Sequence, residues 1–177
     1  MIQTLDFAVL DWIQAHMRCE FLDKFFTFIT HLGDEGWIWI VAGVVLLCFK
    51  SRRRVGIAVL LGLLGGLLIG NLLLKNVIGR ERPCWINDAV VMLIDMPTGY
   101  SFPSGHTLSS VIAATCMMIS DKRLGIPAIV LAALIAFSRL YIYVHFPTDI
   151  IGATILGIGI AYATTWLSRK PKWKFLG

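Results

Sequence analysis

The chain has 177 residues, 57% of them hydrophobic and 15% charged, with a mean hydropathy of +0.76. That balance excludes an ordinary soluble domain and fits one compact integral membrane domain built of helices. The net charge of +5 does not point to nucleic acid, because ten of the sixteen Lys and Arg sit in three clusters at 50–54, 122–123 and 169–174, each bordering an apolar run.

In chain order, residues 1–32 place Leu5, Val9, Trp12, Ile13 and His16 roughly on one helical face, with Asp6 and Asp11 elsewhere. Arg18, Glu20, Asp23 and Lys24 break the next stretch with charge, and the apolar run 25–32 is too short to cross a bilayer. The pattern predicts interfacial or partly inserted amphipathic helices; a short, tilted sixth span is the competing reading. Residues 36–49 are a short charge-free run, completed by Trp37 and Trp39 as an interfacial belt and by Lys50 snorkelling at the other end. Residues 55–74 carry no charge, enough to cross about 30 Å of hydrocarbon. Gly62, Gly65, Gly66 and Gly70 give that helix a small-residue stripe suited to close packing. Residues 107–120 are another short apolar run, 124–143 would span with Arg139 near one end, and 150–167 would span as well. The expected fold is all-α: a polytopic membrane helix bundle with five transmembrane helices, a possible short sixth and an N-terminal amphipathic segment. One domain covers 1–177, with the catalytic core at 36–168 and a basic cytoplasmic tail at 169–177.

Cys19, Cys48, Cys84 and Cys116 have no metal-ligand spacing, and nothing specifies a disulfide between Cys19 and Cys84. The N-terminus lacks the marks of a cleavable signal peptide. The positive-inside rule puts the 50–54 loop, the 121–123 loop and the tail in the cytoplasm. An odd number of crossings separates each from 75–106 and 138–149, so both polar segments are expected at the outer face.

Those segments hold three polar islands in a chain that otherwise reads as membrane. Ionisable groups beside hydrocarbon are costly and mark function. In the first, Lys75 ends a span and Arg82 lies seven residues further on, just before Pro83. Lysine supplies a point charge and arginine a planar fork of donors, both suited to phosphate oxygens. Lys75 alone reads equally well as a snorkelling residue, and Arg80 is set aside as peripheral. In the second, Pro103-Ser104-Gly105-His106 stands at the start of an apolar run. Ser104 suits an N-cap, Gly105 allows close backbone approach, and the free N–H groups of a helix start favour an anion. His106 there can protonate a departing oxygen, although a plain helix cap with an interfacial histidine explains this island taken alone. In the third, His145 and Asp149 are one helical turn apart, Pro147 suits the first turn, and Arg139 lies six residues upstream. A carboxylate on one ring nitrogen leaves the other basic and aimed, able to attack phosphorus directly. Arg139 can neutralise charge on the transferring group.

Together, Lys75-x6-Arg82-Pro83, Pro103-Ser104-Gly105-His106 and Ser138-Arg139-x5-His145-x3-Asp149 resemble the three-part signature of the type 2 phosphatidic acid phosphatase superfamily. The resemblance covers about residues 36–168, in order and at family spacing. It implies His145 as nucleophile, Asp149 as its orienting partner, His106 as general acid, and phosphate binding by Lys75, Arg82, Ser104, Gly105 and Arg139. It implies catalysis without a metal or other cofactor. The N-terminus departs from the family: many members begin with a full first span, which puts the helix count in question and leaves the chemistry untouched.

The function expected is hydrolysis of a lipid phosphate or diphosphate at the outer membrane face through a phospho-histidine, with undecaprenyl diphosphate first. Phosphatidate, phosphatidylglycerophosphate and sphingoid phosphates are rivals. A lipid-dependent phosphotransferase acting on lipopolysaccharide is a second class, and a non-catalytic lipid-binding scaffold a third. Partners are the bilayer and the lipid substrate, with no nucleic acid, and the setting a bacterial plasma membrane. The 84–100 loop is expected to shape headgroup selection, with Val90, Val91, Met92, Leu93 and Ile94 dipping into lipid and Asp88 and Asp95 solvated.

Overall fold

The computed structural model describes residues 2–170, and every regular element in that range is helical. Helices α1 (Ile2–Met17) and α2 (Glu20–Leu32) lead through a tight turn at Asp34–Gly36 into α3 (Trp37–Cys48). Helix α4 (Arg53–Gly66) continues as a π-helical stretch, Leu67–Leu74, and closes in the short α5 (Lys75–Ile78). After the one-turn α6 (Pro83–Ile86) come α7 (Gly105–Ser120), α8 (Lys122–Tyr141) and α9 (Pro147–Ser168).

Local chemistry sets these boundaries. Gly79 takes the left-handed conformation (φ 60°) that ends α5. Ser104 caps α7, and Asp121 caps α8 by accepting from the Arg123 N–H at 2.9 Å. Pro147 opens α9, and Asp149 in its first turn accepts the N–H of Phe146 at 2.8 Å.

Helix α7 is the hub, packed against α4, α8 and α9. Its Leu108, Ile112, Ala113 and Cys116 are buried with Val59 of α4, Ala132 and Ile135 of α8, and Ala161 of α9. The glycine stripe of α4 makes this contact. A Cβ on Gly62 would fall 2.5 Å from Ile112 Cγ2, and one on Gly66 would fall 2.7 Å from Ile112 Cδ1.

Among the described residues, three helical stretches are long and apolar enough to cross a membrane: Arg53–Ile86, Lys122–Tyr141 and Pro147–Ser168. A fourth arises if α2 and α3, bent by 43° at their junction, cross together. Length and composition therefore confirm three or four of the expected five spans. The 36–49 run is the second half of a bent pair, and α7 is an apolar helix of only 16 residues. Trp39 is also not a belt residue: it is buried and donates its indole N–H to Ser110 Oγ at 2.9 Å. Trp37 is exposed as expected.

The N-terminal segment is two helices, and α1 is turned opposite to a soluble amphipathic helix. Leu5, Val9 and Trp12 face outward, while Asp6, Leu10 and Ile13 are buried against the bundle. An apolar outer stripe fits lipid contact. At one end of the bundle Arg52 and Asp121 pair at 2.8 Å, which brings the two basic loops together. All four cysteines are free, and residues 171–177 of the expected basic tail lie outside the described range.

The glycine stripe sets the α4–α7 spacing, so Gly62→Leu should destabilise the protein by about 1–3 kcal/mol, as overpacking does. Gly159, whose added Cβ meets nothing within 4 Å, is the control. Thermal unfolding in detergent should separate Gly62→Leu from Gly159→Leu, and equal melting temperatures would contradict this packing.

Candidate active site

The turn between α8 and α9 carries the central imidazole. Tyr143 has a left-handed backbone (φ 63°), a costly conformation for a residue with a Cβ. It is held there by packing and by its hydroxyl, which donates to Asp11 Oδ1 on α1 at 2.6 Å. The bend delivers His145 just before the N-cap of α9, buried, with one nitrogen on each side of a charged boundary.

His145 and Asp149 do not bond directly: Nδ1 and Oδ2 are 3.6 Å apart. Ser101 joins them, its Oγ lying 3.3 Å from His145 Nδ1 and donating to Asp149 Oδ2. A serine hydroxyl that donates to the carboxylate accepts from the ring, so Nδ1 carries the proton. The lone pair is then on Nε2, which lies 3.3 Å from Arg82 Nη1. Burial, followed by the nearby charges of Arg82, Arg139, Lys75 and His106, holds the His145 imidazole well below its ordinary titration range.

Around that lone pair stand the three cations. Arg82 is buried and fixed by Gly99 O at 2.8 Å and Val144 O at 3.1 Å. Arg139 on α8, 4% exposed, donates through Nη1 to Thr30 Oγ1, and its buried Nε has no partner among the described residues. Lys75 comes from the end of the π-helical stretch, a distortion that recurs at functional sites.

His106 sits in the first turn of α7. Its Nε2 lies 3.0 Å from Asp34 Oδ1, in the turn between α2 and α3, and 3.4 Å from Arg139 Nη1. A carboxylate only accepts, so Nε2 carries a proton and the guanidinium is a neighbour. The turn is built tightly for this contact, since a Cβ on Gly33 would fall 2.7 Å from His106 Cδ2. Ser104 Oγ accepts from the N–H and hydroxyl of Thr107, which leaves the N–H groups of Gly105 and His106 as free donors of the first turn.

Lys75, Arg82, Gly105, His106, Arg139 and His145 line one cavity of about 650 Å³. Ser104 and Asp149 do not line it; both are fully buried behind its wall. The cavity continues along apolar side chains of α3 and α4, namely Ile40, Leu60, Leu63, Leu64 and Leu67. The 84–100 loop contributes Ile94, Pro97 and Thr98 to the wall. Its apolar run does not dip outward as expected: Val90, Met92, Leu93 and Ile94 pack on buried clusters, and only Val91 stands exposed. Asp88 and Asp95 are exposed.

Three bonding partners of the site went unread in the sequence. The Ser101 hydroxyl lies in the polar run 101–106 that ends in the Pro103–His106 island, Asp34 sits next to no motif partner, and Arg80, set aside as peripheral, bonds Asp149 Oδ1 at 2.7 Å. Only the run containing Ser101 carried a signal.

A helix bundle with a cationic pocket, an imidazole lone pair inside it and an apolar groove leading away suits an anionic headgroup on an apolar chain. The PAP2 superfamily model matches residues 55–173. The chain is 34% identical to an undecaprenyl-diphosphatase of Sulfolobus acidocaldarius over 80% of its own length and 68% of that protein. It is 29% identical to the undecaprenyl-diphosphatase BcrC of Bacillus subtilis over 80% and 72%. Among solved structures it superposes on a PAP2-type phosphatidylglycerolphosphate phosphatase from Bacillus subtilis with a TM-score of 0.78, at 26% identity, covering 96% of this chain and 87% of that one. LpxE of Aquifex aeolicus gives 0.74 at 27% identity, with 90% and 94% covered. The chain belongs to the PAP2 superfamily. It is a multi-pass membrane protein and a lipid phosphatase.

Because its proton is disfavoured, the His145 ring should remain neutral below the ordinary histidine midpoint of about 6.5. Imidazole NMR of the ligand-free protein, assigned with a His145→Asn variant, should place the midpoint below that value. A midpoint at or above it would contradict the cationic, buried environment described.

Proposed function

We propose that this phosphatase removes the terminal phosphate of a lipid phosphate or diphosphate through a phospho-histidine on His145, without a metal, and that undecaprenyl diphosphate is its first substrate. The observation that carries the chemistry is the Nε2 lone pair of His145 beside Arg82 in a cavity shared with His106, Lys75 and Arg139. In the first step Nε2 attacks phosphorus, the bond from phosphorus to the bridging oxygen breaks, and His106 protonates the leaving oxygen. Asp34, bonded to His106 Nε2, and the anionic substrate, which offsets the surrounding cations, together stabilise a ring that takes up a second proton at Nδ1 as substrate binds. It is this Nδ1 proton that moves to the leaving oxygen. Lys75, Arg82, the unpartnered Nε of Arg139 and the N–H groups near Gly105 hold the equatorial oxygens. Ser104 serves them as the cap of α7.

In the second step His106 takes a proton from water, the water oxygen attacks phosphorus, and the nitrogen–phosphorus bond breaks. Inorganic phosphate leaves, and His145 returns neutral. Ser101 and Asp149 stabilise its Nδ1 proton throughout. The groove of Ile40, Leu60, Leu63, Leu64 and Leu67 suits a lipid tail running outward between α3 and α4.

Two relatives named for undecaprenyl diphosphate favour that substrate. A phosphatidylglycerophosphatase B of Bacillus subtilis, 29% identical over 88% of this chain, keeps phosphatidylglycerophosphate as the alternative. The cationic loops 50–54 and 121–123 support an active site on the extracytoplasmic face of the membrane.

The test is phosphate release from undecaprenyl diphosphate, phosphatidate and phosphatidylglycerophosphate by purified protein with chelator present. Undecaprenyl diphosphate should give the highest kcat/KM. His145→Ala should cut kcat by about 10³-fold or more while its melting temperature holds. Normal release by that variant would end the phospho-histidine mechanism, and phosphate found on an added acceptor instead of in solution would make the protein a phosphotransferase.

A further inference from the structure

Among the described residues, Asp6 is the most deeply buried charge outside the signature. It lies on α1, 142 residues from Thr148 in the chain, and its side chain is 3% exposed. Its Oδ2 accepts from Arg80 Nη2 at 2.7 Å and from Thr148 Oγ1 at 2.6 Å, and its Oδ1 accepts from the Thr148 N–H at 3.1 Å. Through Nη1, Arg80 donates to Asp149 Oδ1 at 2.7 Å and to Thr148 Oγ1 at 2.7 Å. The guanidinium also lies 4.0 Å from the centre of the Phe146 ring. One guanidinium thus bridges two buried carboxylates, the second of which orients the His145 ring through Ser101.

We propose that Asp6 is a positioning residue of the active site: by holding Arg80 against Asp149, it fixes the His145 imidazole for attack. Arg80 is 23% exposed, so without Asp6 water competes for its donors. With Asp6 in place, each terminal nitrogen is bound to a carboxylate, and turning the fork breaks both bonds at once. The Phe146 ring covers its face. A helix that only floated at the membrane interface would have no use for a buried carboxylate, which costs free energy unless paired. Two further side chains of α1 serve the same turn. Asp11 accepts from the Tyr143 hydroxyl, and Gln14 donates to Tyr141 O at 2.7 Å. Helix α1 is therefore a brace on the 141–149 segment, and Asp6 is its point of contact with the catalytic carboxylate.

The inference rests on His145 being the nucleophile, and the test separates the two. Full-length Asp6→Asn, Asp6→Ala, Arg80→Lys, Arg80→Gln and His145→Ala proteins are assayed in detergent with farnesyl diphosphate as probe. Rates are expressed per folded enzyme, with melting temperatures recorded alongside. The Asp6 variants should lose about tenfold to a hundredfold in kcat, the scale of a small misplacement of a reacting group. KM should stay within about twofold, because no phosphate-binding group is removed. Arg80→Lys should retain more kcat than Arg80→Gln. If Asp6→Ala does not fold, Asp6→Asn, which keeps the shape and loses only the charge, carries the comparison. Lower melting temperatures with wild-type kcat in the folded fraction would show that Asp6 only docks α1, and would overturn the inference. Unchanged kcat and unchanged melting would overturn it too. Phosphate release by His145→Ala would instead bring down the mechanism beneath it.

Discussion

The bundle is organised around a carboxylate that has no exposed surface. Asp149 accepts from Arg80, from Ser101 Oγ and from the Phe146 N–H, and a single residue thereby starts α9, fixes the ring of His145 and ties in the segment after α5. Left unpaired, such a buried charge would cost several kcal/mol. Its donors come from the loop after α5, the approach to α7 and the cap of α9, so satisfying it requires the three signature segments to converge. The geometry of the candidate site and the local fold rest on the same set of hydrogen bonds.

The opposite sign prevails a few ångströms away. Arg82 and Arg139 are both nearly dry, and they share a cavity with Lys75 and two imidazoles. Burial first, and then the repulsion of like charges so placed, keep His145 neutral. The arrangement is tolerable because backbone carbonyls and Thr30 take some of the donors. The Arg139 Nε is left over, and an anion with oxygens on several sides is the ligand that uses it. A phosphoryl group in transfer, with charge spread over three equatorial oxygens, fits better than a ground-state carboxylate would.

Much of this site was legible in the sequence because its parts cluster at helix ends. Lys75 and Arg82, Gly105 and His106, and Arg139 and His145 each lie in one short polar segment, and the spacing within each segment sets its chemistry. What was not legible depends on contacts across the chain. Asp34 reaches His106 over 72 residues, Ser101 reaches His145 over 44, and Asp6 reaches Thr148 over 142. No local period announces such pairs. The same limit explains the misread tryptophan: Trp39 has the composition of an interfacial belt but finds Ser110 in the interior. On α1 the apolar stripe was visible, but the burial of Ile13 and Asp6 against the bundle was not, since hydropathy cannot distinguish a face turned to lipid from one turned to protein. Arg80 is absent from the cavity wall, in keeping with its being set aside, but its bond to Asp149 was not legible. Beside Arg82, which keeps the signature spacing, it looked redundant, yet the two arginines bond different members of the same imidazole–carboxylate couple.

The most direct measurement is an experimental structure with vanadate bound, because its five-coordinate form resembles phosphorus in transfer. Attack by the lone pair described here requires vanadium bonded to His145 Nε2, with Arg82 and Arg139 on its equatorial oxygens and His106 at the opposite apex. Vanadium on Nδ1, or bound away from the 106–145 pair altogether, would contradict the mechanism at its root.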